Sequence, residues 1–400
     1  MLGRHFVEWG GGCDLLRILA TALVVDDNDV WLLIPVRAKR NDRSVLSRIR
    51  GVGRNVAKML FGTDDAELPS DRAVVDFFSD IPGRFHVIRF EDSPVGLLAC
   101  LRKIEAQVIL PAAESLGELF PVPWVGYIYD FQHKYYPNLF SSRECLSRDI
   151  AFAQLLRDAK AVIVYAKAVV NDIDTYYPYH KCRVFDLPYA AAPLRSWLED
   201  CSIDPREKYN LPARYFIICN QFWVHKSHMT AFEALAQVIR HDAFKDVHIV
   251  CTGRLEDHRC PAYVEDMKLK INAMGMADRI HLLGLIPKFD QISMLKKAVA
   301  VVQPTLFEGG PGGGAVFDAV SCGIPAIVSD IPVNLELHED GVEFFKVGSA
   351  DDLARKMLQI LKDHRPRPSH EVLIEMGKRR NRLLSEKLME AISFASGKHD

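Results

Sequence analysis

Residues 215–330 alternate between short apolar runs and amphipathic stretches, and this alternation constrains the fold more than any other feature of the chain. The apolar runs are of strand length, rich in β-branched residues and bounded by turn residues: YFIICNQ (215–221), DVHIVCTG (246–253), VAVVQPT (299–305) and PAIVSD (325–330). The stretches between them have helical spacing, as in HMTAFEALAQVIRH (228–241). Strands that alternate with helices predict a parallel sheet covered on both faces, with ligands at the carboxyl ends of its strands.

The first half of the chain repeats this pattern. Buried strands are predicted at 30–36, 85–90, 106–112, 124–131 and 160–166, and helices at 13–24 and 142–159. A proline-rich stretch of little periodicity, 184–215, is interpreted as an interdomain linker. We therefore predict an N-terminal Rossmann-like, acceptor-binding domain over 1–190 and a C-terminal Rossmann-like domain over 191–375. A final helix over 376–400 is expected to pack back towards the first domain.

Composition excludes several classes of protein. The 400 residues carry 50 basic and 52 acidic side chains, a net charge of −2, so no global basic field exists to hold a nucleic acid. The apolar runs are too short to span a membrane, and the N-terminus resembles no signal peptide. Nine scattered cysteines without a C-x-x-C pair favour reduced thiols and a cytoplasmic location. The basic stretch 37–60 is either a solvated helix face or a contact with the inner face of an anionic membrane.

A glycine-rich loop follows the predicted strand 299–305. In LFEGGPGGGAVFDAVSCG (306–323), glycines allow close approach of the backbone to a ligand, and the following helix N-terminus suits a phosphate. Two acids, Glu308 and Asp318, would accept hydrogen bonds from sugar hydroxyls on either side of that phosphate. Together they indicate a nucleotide sugar. The alternative is a glycine-rich turn with a solvated Glu308 and an Asp318 that lines the helix.

Four further positions are candidates, each with a plainer alternative. Lys226 lies between a strand and a helix N-terminus, where a cation is favourable only beside an anion, so it is either a phosphate ligand or a surface lysine. Arg254 follows a strand and a glycine and is either a phosphate ligand or half of a surface ion pair. His133 follows a strand of the first domain and is either catalytic or structural. Gly11 and Gly12 open the first helix after a short predicted strand and would admit a donor or acceptor.

These residues resemble the retaining glycosyltransferases of family 4, in particular bacterial members that build polysaccharides. The resemblance lies in NQFWVHKSH, in the Glu308 loop with DAVSCGIPAIVSDIP after it, and in YDFQHKYYPNLFS. It implies an α/β protein of GT-B fold, with two facing Rossmann-like doubly wound domains and a cleft between them. It also implies that the donor is held mainly by the C-terminal domain and that neither a metal nor a cofactor is required.

The same resemblance implies roles for individual residues. Lys226 would bind the donor diphosphate, Glu308 would lie by the transferred sugar, Asp318 would hold the ribose, and His133 would contact the donor sugar. Backbone N–H groups would come from four successive residues, Gly312, Gly313, Gly314 and Ala315. The chain departs from the family where Gln221 or Phe222 replaces an arginine, with Arg254 a candidate substitute, and where the second acid is an aspartate set further along the chain.

The function expected from this resemblance is transfer of a sugar from a nucleotide diphosphate sugar to a hydroxyl, with retention of configuration. GDP-mannose is the first choice of donor, ahead of UDP-sugars and dTDP-rhamnose. The acceptor is expected to be a saccharide or a lipid-linked saccharide. Two alternatives stay open: a nucleotide-sugar-binding protein without catalysis, and a GT-B epimerase or phosphorylase.

Overall fold

The computed structural model describes residues 1–8, 10–36, 77–199, 204–363 and 366–398. The chain divides into two compact units, Met1–Pro188 with Asn381–Asp400, and Tyr189–Arg380. The basic stretch 37–60 lies entirely outside the described residues.

The described elements of the first unit alternate between strands and helices. In chain order they are α1 (Gly10–Leu23), β1 (Val30–Val36), β2 (Phe85–Glu91), α2 (Pro94–Lys103), β3 (Ile109–Ala112), β4 (Trp124–Tyr127), α3 (Gln132–Tyr135), α4 (Ser142–Asp158), β5 (Ala161–Val164), α5 (Lys167–Tyr176) and β6 (Arg183–Asp186). Two local signals mark the helix starts. Ser93 caps α2 by accepting from the Gly96 N–H, and Ser141 and Glu144 form a reciprocal capping box at α4.

Every described strand pairing in the first unit is parallel. Strands β1 and β2 form one sheet, and β3, β4, β5 and β6 form a second in that order. The N-terminal segment joins the two, because Leu2 bridges to Leu33 in β1 and its N–H donates to the Leu110 carbonyl in β3 at 3.0 Å. The predicted strand before the glycines of α1 is thus reduced to this short segment. The resulting order, β2, β1, Leu2, β3 and onwards, is that of a doubly wound sheet.

The second unit contains the remaining elements. They are α6 (Arg195–Leu198), α7 (Pro205–Lys208), β7 (Tyr215–Cys219), α8 (His228–Val238), β8 (His248–Thr252), α9 (Tyr263–Ala273), β9 (Ile280–Leu282), α10 (Lys288–Lys297), β10 (Val301–Gln303), α11 (Gly313–Ser321), β11 (Ala326–Ser329), β12 (Val342–Phe345) and α12 (Ala350–Lys362). Helix α13 (His370–Ala395) follows, and its residues from Asn381 onwards belong to the first unit.

The six strands of the second unit form one parallel sheet in the order β12, β11, β10, β7, β8, β9. Residues Tyr215–Ile218 of β7 are fully buried, as expected of a central strand covered by helices on both faces. The predicted α/β fold with parallel sheets is confirmed. Strand order reverses between β7 and β10, and a doubly wound sheet binds ligands beyond the carboxyl ends of the strands at such a reversal. Lys226 follows β7 and Glu308 follows β10.

The sequence interpretation was wrong at the start of the supposed linker. Residues 183–186 form β6, which pairs with β5 through Val184↔Val162 and Phe185↔Ile163. This short run of β-branched and aromatic residues is followed by prolines, which favoured the interpretation as a linker. Helix α13 packs on the same strand, because Phe394 lies edge-on to Phe185 at 5.9 Å and Arg183 pairs with Glu390 at 3.0 Å. Among the described helices, none combines the length and apolarity that a membrane span needs.

Candidate active site

Two loops of the second unit meet where the strand order reverses. One follows β7 as a single 3-10 turn, Val224–Lys226, and Ser227 adopts a left-handed conformation (φ 51°) before α8 begins. The other follows β10 and carries Glu308. The loops are tied together by the Leu306 N–H, which donates to the His225 carbonyl at 2.7 Å. The fold therefore brings Lys226 and Glu308 together, although they are far apart in the sequence.

Lys226 and Glu308 form an ion pair. Lys226 Nζ lies 2.5 Å from Glu308 Oε1, and the two side chains are only 11% and 12% exposed. Partial exclusion of water strengthens the attraction between the charges beyond that of a surface pair. The cation predicted to bind a phosphate and the acid predicted to bind a sugar are thus nearest neighbours.

Glu308 has a second partner that was not foreseen from the sequence. Gln303, the last residue of β10, donates from Nε2 to Glu308 Oε1 at 2.8 Å, and Gln303 Oε1 accepts from Asn220 Nδ2 at 2.7 Å. Gln303 is 1% exposed and Asn220 is 9% exposed. A polar residue at the end of an otherwise apolar central strand was the available signal.

The glycine-rich loop takes the conformation that its sequence suggests. Gly312 and Gly313 have φ of 68° and 63°, where side-chain-bearing residues are strained. Helix α11 then begins without a side-chain cap, so the N–H groups of its first turn, from Gly313, Gly314 and Ala315, have no partner within the helix. Such a turn suits an anion. The Gly312 N–H is engaged, because it donates to Asn334 Oδ1 at 2.8 Å, so it is not available to a ligand in this arrangement.

Asn334 anchors this loop through its hydrogen bond with the Gly312 N–H. Its side chain is fully buried, and its Nδ2 donates to the Ser329 carbonyl at the end of β11, 2.9 Å away. One amide therefore links the start of α11 to the neighbouring strand. Asn334 was not predicted as a site residue, because it lies in a short segment after IVSD with no motif of its own.

Asp318 occupies the second turn of α11 and is 2% exposed. Its Oδ2 accepts from Lys288 Nζ at 2.6 Å, and Lys288 begins α10 with its ammonium 5.7 Å from the centre of the Trp197 ring. The acid predicted to bind a ribose therefore has a cationic partner in the same unit, which the sequence analysis did not anticipate.

Gln221 and Arg254 connect the ends of β7 and β8. The Arg254 N–H donates to Gln221 Oε1 at 2.9 Å, while the Arg254 guanidinium pairs with Glu256 at 2.9 Å and its side chain is 51% exposed. Gly253 beside them has φ 135°, and a Cβ there would lie 2.0 Å from the Asn220 carbonyl. The backbone at the ends of β7 and β8 is thus closely packed. Gln221 anchors the loop after β8 through the Arg254 N–H, and the Arg254 side chain points to Glu256.

His133 lies in the first unit, in the short helix α3 after β4. Its ring is buried among Phe131, Phe140 and Phe152, and its Nε2 lies 2.9 Å from Asp149 Oδ1. Burial lowers the pKa of His133. Burial alone would raise the pKa of Asp149, but hydrogen bonds from Lys134 and His133 outweigh it and lower that pKa.

The contact between Nε2 and Asp149 indicates the tautomer of a neutral His133 ring. A neutral ring beside an ionised Asp149 carries its proton on Nε2 and donates it to the carboxylate, which leaves Nδ1 as a hydrogen-bond acceptor. Nδ1 is buried and has no hydrogen-bond partner among the residues that the structure describes. A hydroxyl or water that reached it would complete its hydrogen bonding.

Gly11 and Gly12 open the first helix, as the sequence predicts. They belong to the first turn of α1, Gly11 exposed and Gly12 buried. Their N–H groups share the unpaired character of any helix start. Across the described part of the chain, no group of three or more His, Cys, Asp or Glu side chains is placed to hold a metal ion.

A known protein family matches most of the second unit. Residues 203–380 match the family model described as glycosyl transferases group 1. Glycosyltransferase 1 domain-containing protein 1 of Xenopus tropicalis is 24% identical over 195 residues, which are 46% of this chain and 53% of that protein. The chain thus spans about half the length of the curated relative that it matches.

Solved structures are similar over nearly the whole chain. HepE of Anabaena, in complex with UDP and glucose, has a TM-score of 0.55 at 16% identity and covers 91% of this chain and 95% of its own. Sucrose-phosphate synthase of Thermosynechococcus elongatus has a TM-score of 0.56 at 15% identity, with 99% and 96% covered. WaaG, a glycosyltransferase involved in lipopolysaccharide biosynthesis, has a TM-score of 0.54 at 12% identity, with 97% and 95% covered. The chain therefore has the GT-B fold, and its residues 203–380 match the family model of glycosyl transferases group 1.

Proposed function

We propose that this protein is a retaining glycosyltransferase that moves a sugar from a nucleotide diphosphate sugar to a hydroxyl of a saccharide or lipid-linked acceptor. The observation that carries this proposal is the Lys226–Glu308 pair at the reversal of strand order in the second unit. A cation, a carboxylate and an uncapped helix start meet there. A diphosphate joined to a hydroxylated sugar has the complementary chemistry.

The leaving diphosphate would be stabilised by this chain's own groups. In such a transfer, positive charge grows on the anomeric carbon while negative charge grows on the β-phosphate. Lys226 Nζ, the N–H groups of Gly313, Gly314 and Ala315, and the positive end of the α11 dipole would offset the negative charge. We propose that these groups act without a metal ion. An undiminished rate in excess EDTA is the expected result, and a rate restored only by added Mg²⁺ would contradict it.

The acids would hold the hydroxylated parts of the donor. Within the described part of the chain, Glu308 accepts from Lys226 and from Gln303 on Oε1, so Oε2 is the atom proposed to accept from the transferred sugar. Asp318 would accept from the ribose while still paired with Lys288, because an ionised carboxylate accepts several hydrogen bonds. Gln221 and Arg254 would border the diphosphate, with Arg254 turning from Glu256 to do so.

His133 is proposed to contact the donor sugar through Nδ1, a buried acceptor to which no described residue donates a hydrogen bond. Asp149 would keep the ring in the tautomer that this contact requires. His133→Ala separates an enzyme from a nucleotide-sugar-binding protein. An enzyme loses turnover, whereas a binding protein keeps its donor affinity and has no turnover to lose.

The identity of the donor is proposed from resemblance. GDP-mannose follows from the likeness to polysaccharide mannosyltransferases, whereas a structural neighbour, HepE, was solved with UDP and with UDP-glucose. Both donors belong in the first panel to be tested. A lipid-linked acceptor and a peripheral membrane contact through residues 37–60 rest on charge pattern alone. Absence of binding to anionic vesicles in a flotation assay would remove the membrane contact.

The proposal is tested by donor turnover. The wild-type protein is incubated with GDP-mannose, UDP-glucose and dTDP-rhamnose, with and without saccharide acceptors, and the release of nucleoside diphosphate is followed. We expect turnover with one donor and its loss in Lys226→Ala and Glu308→Ala. Lys356→Ala and Glu343→Ala are matched controls, because they remove a Lys–Glu pair of 2.7 Å elsewhere in the same unit. Undiminished turnover in Lys226→Ala and Glu308→Ala would overturn the assignment.

A further inference from the structure

A chain of two amides leads to the carboxylate of Glu308. Asn220 follows the last residue of β7, and Gln303 is the last residue of β10, the strand beside it. Asn220 Nδ2 donates to Gln303 Oε1 at 2.7 Å, and Gln303 Nε2 donates to Glu308 Oε1 at 2.8 Å. Both amides are nine-tenths or more buried.

The direction of this chain of hydrogen bonds is fixed. A flipped Gln303 amide would place its oxygen against the Glu308 carboxylate, and two acceptors would face each other at hydrogen-bond distance. The Gln303 amide therefore directs its Nε2 donor towards Glu308 and its Oε1 acceptor towards Asn220.

The two carboxylate oxygens of Glu308 therefore differ in the hydrogen bonds that they accept from described residues. Oε1 accepts from Gln303 and from Lys226, whereas Oε2 lies on the side of Gly313, where a Cβ would be 3.5 Å away. A glycine at this position leaves space in front of Oε2. The amide chain thus orients one oxygen of Glu308 towards the start of α11.

We propose that Asn220 and Gln303 are positioning residues that hold Glu308 in place when Lys226 turns to the donor phosphate. The inference rests on the proposed function, in which Lys226 binds the diphosphate and Glu308 the sugar. A phosphate competes with Glu308 for the lysine ammonium, because both are anions. The Gln303 amide is neutral, buried and hydrogen-bonded to Asn220, so the phosphate does not pull it away from Glu308 as it pulls the lysine. Gln303 therefore keeps Oε2 of Glu308 directed at the sugar.

Kinetics of two variants test this role. Gln303→Met fills the same space without a donor. Asn220→Asp reverses the chain, because a carboxylate at 220 accepts from Gln303 Nε2 and turns the Gln303 oxygen towards Glu308. With the donor that the wild type turns over, we expect kcat to fall about 10- to 100-fold in both variants. In Gln303→Met, which changes no charge, the Kd for the matching bare nucleoside diphosphate, UDP or GDP, is expected to stay within about twofold.

A matched control and two results decide the outcome. Gln237→Met removes an amide-to-carboxylate bond of the same kind, Gln237 Nε2 to Asp351 Oδ1 at 2.7 Å, from another part of the same unit, and is expected to leave kcat unchanged. A wild-type kcat in Gln303→Met would overturn the inference. An equal loss of affinity for the bare nucleoside diphosphate would also overturn it, because the site as a whole would then have loosened.

A structural comparison separates failure of this inference from failure of the proposed function. Crystal structures without ligand are compared for Lys226→Met and for the double variant Lys226→Met with Gln303→Met, because Glu308 then no longer has its lysine partner. The Glu308 carboxylate is expected to be rotated in the double variant alone. An unchanged Glu308 would overturn the positioning role, whatever the donor. If no sugar nucleotide is turned over by the wild type but Glu308 rotates in the double variant, the proposed function fails while the positioning of Glu308 stands.

Discussion

Lys226 and Glu308 are 82 positions apart in the chain, yet their charged groups lie within 2.5 Å. In the protein without ligand, each neutralises the other. A diphosphate entering the site meets a lysine whose charge is already matched and a carboxylate that repels it. The two roles proposed for this pair are therefore partly opposed, and a variant can separate them.

Glu308→Gln is expected to act in opposite directions on binding and on turnover. Removal of the carboxylate frees Lys226 and abolishes the repulsion, so the affinity for bare UDP or GDP should rise roughly three- to tenfold. Turnover of the sugar nucleotide should fall, because the hydroxyl of the transferred sugar loses the carboxylate that accepts its hydrogen bond. Titration calorimetry and a turnover assay measure the two effects. Glu343→Gln, at the other Lys–Glu pair, serves as the control. Weaker binding of the bare nucleotide in Glu308→Gln would contradict this account.

His228 predicts a specific loss of stability in acid. The ring is fully buried and stacked on Phe222 at 4.3 Å, and burial, followed by the nearby Lys226, lowers the pKa from 6.5 to about 3. Because the folded value lies below the unfolded one, the unfolded state takes up more protons as the pH falls. Stability that is present above pH 6.5 is therefore lost below it.

The size of this loss can be measured. Between pH 7.5 and 5.5, His228 should account for a fall of about 1.4 kcal/mol in the free energy of unfolding. Urea unfolding at both pH values gives the change for the wild type and for His228→Leu. The variant is expected to lose that much less on acidification, even if it is less stable throughout. An identical loss in both proteins would show that this ring is not responsible.

At the scale of elements, the start of α11 depends on Asn334. This fully buried amide accepts from the Gly312 N–H and donates to the Ser329 carbonyl. Asn334→Ala would leave both backbone groups without that partner, and we expect the free energy of unfolding to fall by about 1–3 kcal/mol. Denaturant unfolding of the variant measures it, with Asn272→Ala on the exposed side of α9 as the control. A change no larger than that of the control would show that Asn334 does not hold the loop.

Much of this element structure could be predicted from the sequence. The strand, glycine loop and helix around Glu308, and the turn that carries Lys226, follow from local patterns of apolar and turn residues. Residues such as Gln303, Asn334 and Asp149 could not be predicted, because their importance lies in contacts with partners distant in the chain. Strand β6 was missed because a four-residue strand next to a proline-rich stretch gives little periodicity.

At the scale of the whole molecule, the residues proposed to bind the donor lie in the second unit, with the exception of His133. Lys226, Gln303, Glu308 and Asp318 all fall within residues 203–380, the segment that matches the glycosyl transferases group 1 family. Doubly wound topology explains this concentration, because the reversal of strand order gathers the loops after β7 and β10. The first unit supplies His133 and, in our proposal, the acceptor site.

Nucleotide binding by this second unit is the central claim, and ligand-induced stabilisation tests it most directly. The thermal and denaturant stability of the full chain is measured with UDP, GDP, dTDP and ADP. One nucleotide, at 100 times its Kd, should add about 2.7 kcal/mol to the free energy of unfolding. The gain at the same concentration should be much smaller in Lys226→Met and preserved in Lys356→Met. No stabilisation of the wild type by any of the four, or an equal gain in Lys226→Met, would contradict the account.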